Sequence, residues 1–196
     1  MQRAVVLSWH VDYWDYLGWK DPFGSPAYSQ RQTRYAKALA LKQRWTPMLL
    51  VDNRPVRGRK QIDAAVKKAQ EKKARVGAKI TVALKDGKVV AKLNLRWLAE
   101  KAGKLGKNVV VQPVLYVREA STKCTAGECK GRTLKEFFAV VAAPKALAPT
   151  DAFAKGATAT WPAPKGVDAK NLGVAFLLED SVTMKTIGCW WSPIGK

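Results

Sequence analysis

The segment HVDYWDYLGWKDPF, residues 10–23, concentrates the side chains of this chain that could do acid–base or metal chemistry. It contains the single histidine of the chain together with three aspartates, two tryptophans and two tyrosines. A histidine beside carboxylates can act as a general base or as a metal ligand. Aspartates in a loop with Gly and Pro more often accept hydrogen bonds from backbone N–H groups. We therefore expect a rigid aromatic loop with no catalytic group, no metal and no cofactor, shaped by His10, Asp12, Trp14, Asp15, Trp19 and Asp21.

The three cysteines offer a second kind of chemistry. Cys124 and Cys129 flank the polar stretch TAGE, and a C-x4-C pair without a second pair lacks the spacing of a zinc site. A local disulfide between the two is expected in an oxidising compartment, with two free thiols as the alternative. Cys189 lies in the apolar stretch IGCWW and is expected to be a buried core thiol.

The charge of the chain is strongly positive and unevenly distributed. The formal net charge is +20, and residues 53–108 contain 17 basic and 4 acidic side chains, a net of +13. A surface over Arg54–Lys107 could contact a polyanion such as nucleic acid, anionic lipid or an acidic protein, and a solvated Lys-rich surface is the alternative. Trp97 is the only aromatic residue between Trp45 and Tyr116, which argues against a binder of single-stranded nucleic acid.

The elements that must position the aromatic loop lie on both sides of it. Residues 3–9 form an apolar run that predicts a buried strand. A helix over 26–42 is predicted to begin with Ser25-Pro26 as N-cap and first helical residue. A second apolar strand is predicted at 48–51, followed by a tight turn at Asp52-Asn53.

Helical spacing of apolar residues predicts which faces are buried. Tyr28, Tyr35 and Leu39 recur on one face of the first helix, and Arg31 is expected on another face. A second amphipathic helix is predicted over 60–76, with an apolar stripe of small and aliphatic residues.

Beyond Gly77 the periodicity changes from that of a helix to that of strands. Asp86-Gly87 predicts a hairpin, and a long irregular loop is predicted over 144–170 because Pro, Ala, Gly and Lys dominate it. These patterns favour an α+β protein with a boundary near 75–78. Further strands are predicted in NVVVQPVLYV, RTLKEFFAVVAA, NLGVAFLLED and VTMKTIGCWW.

The aromatic loop and the stretch WTPMLLVDNR together resemble a family of secreted bacterial proteins of unknown function with a thioredoxin-like fold. The stretch GRTLKEFFAVV looks like a segment of that family's C-terminal β-sandwich. The resemblance implies a thioredoxin-like α/β domain over 1–76, a mostly antiparallel β-sandwich over 77–196, and a periplasmic or secreted location. It also implies a cis-Pro site at Thr46 and Pro47, which without facing thiols is either a relic or an edge where peptides dock.

The sequence departs from that family in having no Cys-x-x-Cys motif. The resemblance implies that the motif's strand is central, between the strands expected at 3–9 and 48–51. We expect this strand to come from an upstream segment, outside this sequence together with any signal sequence, or from a protein partner. Cys124 and Cys129 are expected to lie in the wrong domain to replace the missing thiols.

These expectations favour a redox-inactive binding or scaffold protein of the bacterial envelope, acting through its basic surface and its aromatic loop. The alternative is a thiol–disulfide oxidoreductase whose Cys-x-x-Cys segment lies outside this chain. No apolar run in the sequence approaches the roughly 20 residues that a membrane-spanning helix needs.

Overall fold

The computed structural model describes residues 4–98 and 104–195. Within these ranges the chain is α+β, with three α-helices and nine strands in three antiparallel sheets. In chain order the elements are α1 Pro26–Ala38, β1 Leu49–Val51, β2 Arg54–Val56, α2 Gly58–Gln70, β3 Val76–Lys85, β4 Lys88–Trp97, β5 Val109–Lys123, β6 Thr133–Ala142, α3 Pro149–Ala154, β7 Ala157–Pro162, β8 Leu172–Asp180 and β9 Thr186–Pro193. None of these helices has the length and apolar character needed to cross a membrane.

The main core lies between two sheets packed face to face. One sheet has the order β3-β4-β7 and the other β6-β5-β8-β9. Alternate residues of β4, β5, β7 and β8 point into the layer between the sheets, as the period of two in strands requires. The hairpin predicted at Asp86-Gly87 is confirmed, since it joins β3 to β4.

The four-stranded sheet is covered on its second face as well. Tyr28 of α1, together with Leu7 and Trp9, packs on this face against Val114 and Tyr116 of β5. Because both faces are covered, every residue of β8 except the last is buried. This double burial explains why LGVAFLL, residues 172–178, is a continuous apolar run rather than an alternating one.

Helix α1 begins as predicted and ends four residues earlier than the predicted residue 42. Ser25 Oγ accepts a hydrogen bond from the Ala27 N–H, and Pro26 occupies the first turn. Just beyond its C-terminus Ala40 has a φ of 50°, a left-handed conformation that stops the helix. The prediction for Arg31 is wrong, because this side chain is buried on the same face as Tyr28.

The strand predicted at residues 3–9 is wrong over residues 4–9, and residue 3 lies outside the described ranges. Ser8 forms only an isolated parallel bridge, to Ala139 of β6. The segment therefore attaches to the edge of the sandwich sheet, where it satisfies backbone groups of β6. Among the described residues it shares no sheet with β1, so a thioredoxin-like domain over residues 1–76 stays a proposal.

The irregular loop predicted over 144–170 is wrong in part, because it contains α3 and β7. In β7 the stretch ATATW alternates strictly, with Ala157, Ala159 and Trp161 buried and the two threonines exposed. This is a period-two strand signal. The Pro and Gly residues around it obscured the signal in the sequence.

Candidate binding groove

A groove of about 700 Å³ lies where the N-terminal segment, the aromatic loop and the β1–β2 hairpin meet. Its walls are formed by residues 6–11, by residues 46–50 and by residues 127–129 of the sandwich. Trp14 and Trp19 of the aromatic loop also line it. The structure therefore brings together the aromatic loop and the Thr46-Pro47 stretch, which are far apart in the sequence.

The first wall presents backbone groups that have no backbone partner. Ser8 donates its N–H to the Phe138 oxygen and accepts from the Val140 N–H, both over 2.9 Å. In an extended segment adjacent residues direct their N–H and C=O groups to opposite sides. Leu7 and Trp9 therefore direct theirs away from β6, and neither makes a backbone hydrogen bond within the described residues. Both residues line the groove.

A second part of the groove lining presents the free edge of β1. The two residues of the turn 52–53 have positive φ angles, 48° and 65°, as a two-residue type I′ hairpin requires. In such a hairpin Val51 and Arg54 form the hydrogen-bonded pair, so the next pair, Leu50 and Pro55, directs its backbone groups outward. Leu50 lines the groove, whereas Pro55 leaves the other edge of the hairpin without a donor.

Exposed apolar side chains cluster around the groove. Ten large apolar side chains are exposed in the described part of the chain, and four of these line the groove. Val6, Trp14, Leu17 and Leu49 are each between 40% and 58% exposed. Exposed apolar groups that lie together on one surface are typical of an interaction site.

The aromatic loop is held in place by hydrogen bonds to the surrounding elements. Trp14 Nε1 donates to Thr46 Oγ1 over 3.1 Å, which joins the loop to the Thr46–Pro47 bond, a cis peptide bond. Ser29 Oγ of α1 donates to Asp12 Oδ1 over 2.5 Å and accepts from the backbone N–H of the same residue. The carboxylate of Asp15 accepts from the backbone N–H of Asp21, over 3.4 Å. These aspartates therefore order the loop.

His10 connects the aromatic loop to the sandwich. Its Nδ1 lies 2.6 Å from Asp21 Oδ2, and its Nε2 lies 3.7 Å from Glu136 Oε2 of β6. The hydrogen bond to Asp21 raises the pKa of His10, against the lowering by burial. Burial raises the pKa of Asp21, but hydrogen bonds from His10 and from the Phe23 N–H outweigh it and hold this pKa below its usual value.

These shifts predict the pH range in which the pair stabilises the fold. A raised His10 pKa contributes stability that is complete below about 6.5 and is lost as pH rises through the folded-state pKa. The lowered Asp21 pKa contributes stability that is present above about 3.8 and is lost as pH falls through its folded-state pKa. Both contributions are therefore present between about pH 4 and pH 6.5.

We expect His10 to titrate above 6.5, its ordinary value, in an NMR titration of the imidazole protons. Because the chain has a single histidine, the signal needs no assignment. Asp21→Asn should lower the His10 pKa markedly, and Glu136→Gln should lower it less because its oxygen is farther away. A wild-type His10 pKa at or below 6.5 would contradict the conclusion that the hydrogen bond to Asp21 raises it.

Arg31 lies at the floor of the groove in a buried ion pair that the sequence did not predict. Its Nη1 and Nη2 donate to the two carboxylate oxygens of Glu179 in β8, over 2.8 and 2.6 Å. The guanidinium also stacks on the Trp9 ring, 4.5 Å from its centroid, and contacts Tyr35. Arg31 Nε is buried and has no hydrogen-bond partner within the described residues.

The predicted disulfide between Cys124 and Cys129 is present, with 5.7 Å between the Cα atoms. In its loop, Gly127, Glu128 and Cys129 line the groove. No sequence signal indicated this contact. It arises because the loop after β5 folds back onto the aromatic loop.

Five of the basic residues of the predicted surface lie on one face of the three-stranded sheet, and the others in this stretch lie elsewhere along the chain. Strand pairing places these five on the side opposite the buried residues of β4, and this outer face of β3, β4 and β7 has no Asp or Glu. Its five exposed cations are Lys79, Lys85, Lys88, Lys92 and Arg96.

Comparisons with known proteins identify the family and support the fold. A crystal structure of a protein from Agrobacterium tumefaciens is 23% identical to this chain, with a TM-score of 0.60 over 97% of this chain and 80% of that one. A domain of the outer membrane lipoprotein Omp28 from Porphyromonas gingivalis is 13% identical, with a TM-score of 0.39 over 62% of this chain and 89% of that one. No curated protein matches at a significant level. The family model described as "Protein of unknown function (DUF1223)" matches residues 1–179, and the chain therefore belongs to the DUF1223 family.

Proposed function

We propose that this protein is a binding protein of the bacterial envelope that holds an extended polypeptide segment in its groove. The observation that carries this proposal is that two backbone edges with no partner in the described part of the chain line one apolar groove. Leu7 and Trp9 present N–H and C=O groups on one wall, and Leu50 presents them on the other. A strand between these walls would bond to both edges, which is the mode of recognition known as β-augmentation.

The surroundings of the groove suit such a segment. Backbone hydrogen bonds contribute about 0.5–1.5 kcal/mol each and do not depend on the ligand's side chains. The four exposed apolar side chains around the groove would then contact alternate side chains of the bound strand. Arg31, which also lines the groove, has an Nε that is buried and finds no hydrogen-bond partner within the described residues.

The bound segment would occupy the position that the central strand has in a thioredoxin-like domain. Binding of this kind needs no Cys-x-x-Cys motif in this chain. The Cys124–Cys129 disulfide supports a periplasmic or secreted location, since disulfides persist in oxidising compartments.

The basic face of the three-stranded sheet supports an acidic partner. Its five cations lie on the outer face of β3, β4 and β7, where these strands carry no carboxylate, and such a positive face attracts acidic polypeptides. An acidic tail on the bound segment should strengthen binding, and this gain should fall as salt increases from about 0.05 to 0.5 M. A neutral tail of the same length is the control.

The proposal is tested with a nine-residue peptide. Its first and last residues are Glu, its central residue is Ser, and its other residues alternate between Thr and Val. We expect binding to slow hydrogen exchange at the amides of Leu7, Trp9 and Leu50, and to change tryptophan fluorescence. The same peptide N-methylated at alternate residues loses every N–H donor on one of its two edges and should bind much more weakly. Unchanged exchange at these amides with saturating peptide would reject the proposal.

A matched pair of variants isolates the backbone edge of β1. Leu50→Pro removes the N–H that faces the groove, whereas Leu50→Ala keeps it and also shortens the side chain. Loss of one such donor corresponds to a roughly threefold to tenfold weaker affinity, taking about 1 kcal/mol for the bond. We expect this difference between the two variants in a fluorescence titration, with unchanged circular dichroism. Equal affinities would contradict a role for the edge.

The segment can come from sequence upstream of residue 1 or from a partner chain. The coding DNA upstream of residue 1 distinguishes these sources. An in-frame apolar strand would place the segment in the same chain, and an in-frame Cys-x-x-Cys would support the alternative oxidoreductase. A stop codon would leave a partner chain as the source.

A further inference from the structure

The disulfide of the sandwich lies beside the binding groove and packs against the aromatic loop. A Cβ built on Gly127 would stand 2.7 Å from the backbone oxygen of Leu17 and 3.4 Å from the backbone nitrogen of Trp19. The two loops are therefore in direct backbone contact. Cys129, two residues farther along, lines the same groove as Leu7 and Leu50.

The two sulfur-bearing residues differ in their access to the groove. Cys124 is completely buried, whereas Cys129 is half-buried and is the one that lines the groove. A thiolate attacks the disulfide sulfur that it can reach, so access selects Cys129 as the sulfur that is attacked. A disulfide that served only to close a loop would not need one half of the bond in a binding site.

We propose that the Cys124–Cys129 disulfide is a redox site that exchanges with a thiol carried by the segment bound in the groove. This inference rests on the proposed binding function and adds that the bound segment is a cysteine-containing polypeptide. The groove holds the segment beside Cys129, which raises the effective concentration of its thiol.

The exchange is balanced without a further reactant. The thiolate of the segment attacks Cys129 Sγ, and a new S–S bond forms between them. The bond between Cys129 Sγ and Cys124 Sγ breaks. Cys124 Sγ keeps the electron pair of this bond, leaves as a thiolate and takes up a proton. A second thiol of the segment then attacks the segment's own sulfur in the mixed disulfide and releases the Cys129 thiolate. The segment loses two electrons and gains a disulfide, and the protein gains both electrons as two thiols.

Cys189 does not take part in this chemistry. Burial raises the pKa of its thiol to about 12, so the reactive thiolate form is almost absent near neutral pH. The nearby Glu179 carboxylate acts in the same direction. Cys189→Ala removes this third cysteine from the assay and leaves the disulfide in place.

The test uses the Cys189→Ala protein and the nine-residue peptide with Cys in place of its central Ser. Acid quenching and mass spectrometry measure how fast the mixed disulfide forms and on which cysteine. We expect it on Cys129, at least tenfold faster than with the N-methylated peptide that carries the same Cys. A Cys124→Ala variant should form a stable mixed disulfide with the peptide activated as its thionitrobenzoate disulfide. Cys129→Ala, which keeps the buried Cys124, should not.

The outcomes separate this inference from the binding function. Binding of the Ser peptide is measured independently by hydrogen exchange. If the Ser peptide binds but the two Cys peptides form the mixed disulfide at equal rates, the redox site is overturned and the binding groove is not. The same holds if the mixed disulfide forms on Cys124. Absence of binding together with equal rates would reject both. Because the rates come from the intact disulfide, this result does not depend on whether the single-cysteine variants fold.

Discussion

Glu179→Leu is expected to lower the free energy of unfolding by about 3–5 kcal/mol, because it leaves the Arg31 guanidinium buried without its counter-charge. Both side chains are almost inaccessible, with relative exposures of 5% for Arg31 and 2% for Glu179. Two hydrogen bonds of 2.8 and 2.6 Å join them across the boundary between α1 and β8. Arg31→Met should have a similar cost, since it leaves the carboxylate unpaired instead.

The double variant Arg31→Met/Glu179→Leu tests whether the costs of these two single changes depend on each other. It removes both buried charges and keeps apolar volume, so its stability should be much closer to the wild type than the sum of the single effects. Urea denaturation of all four proteins measures the coupling through the shift in the midpoint at constant slope. Additive effects would show that the two groups do not depend on each other.

The exposed pair Arg59 and Asp63 provides a matched control. Their side chains are 93% and 70% exposed, with 3.6 Å between Nε and Oδ2. Solvent screens such a pair, so the corresponding substitutions Arg59→Met and Asp63→Leu should leave the denaturation midpoint almost unchanged. A large effect at the buried pair and a small one at the exposed pair would show that burial, rather than pairing alone, sets the cost.

Gly127→Ala is expected to separate the disulfide loop from the aromatic loop and to weaken peptide binding in the groove. Gly127 has a φ of 67°, and an added Cβ would stand 2.7 Å from the Leu17 oxygen, which real Cβ atoms essentially never do. The positive φ costs about 1–3 kcal/mol for a residue with a side chain, and the loops must also move apart. We expect a lower denaturation midpoint and a weaker affinity for the nine-residue peptide.

Gly131→Ala is the matched control for this change. Gly131 lies in the same loop with a φ of 83°, but a Cβ there would meet no atom within 4 Å. Both variants therefore carry the backbone cost of a positive φ, and only Gly127→Ala also creates the clash. A loss of affinity in both variants would show that backbone strain, and not the loop contact, is responsible. Unchanged binding in both would exclude the disulfide loop as a wall of the groove.

Local sequence patterns were sufficient to predict the features that depend only on residues adjacent in the chain. The N-cap at Ser25, the hairpin at Asp86-Gly87 and the disulfide of Cys124 with Cys129 were each predicted from a few adjacent residues, and each is present. In each case the cause is local: a capping oxygen, a turn that requires positive φ angles, or two cysteines close enough along the chain to bond. The α+β class followed from the same local signals, and the structure confirms it.

Tertiary contacts decided the elements and groups whose partners are distant in the sequence. An apolar run such as residues 4–9 is compatible with a central strand or with a segment on a sheet edge, and the free edge of β6 selected the second. Arg31 gave no local sign of burial, because its partner Glu179 is 148 residues away. The groove has walls from three separated stretches, so no window of the sequence contains it.

The sequence by itself therefore determined the aromatic loop, the capped helix, the hairpins and the disulfide, because each is stabilised by neighbours along the chain. Only the tertiary structure placed the disulfide loop against the aromatic loop and turned two backbone edges toward one groove. The physical reason is that the backbone groups of a strand edge and the buried charged side chains pair with whichever groups the packed layers bring next to them. Which layers pack together depends on the whole chain, so a short stretch of residues does not indicate it.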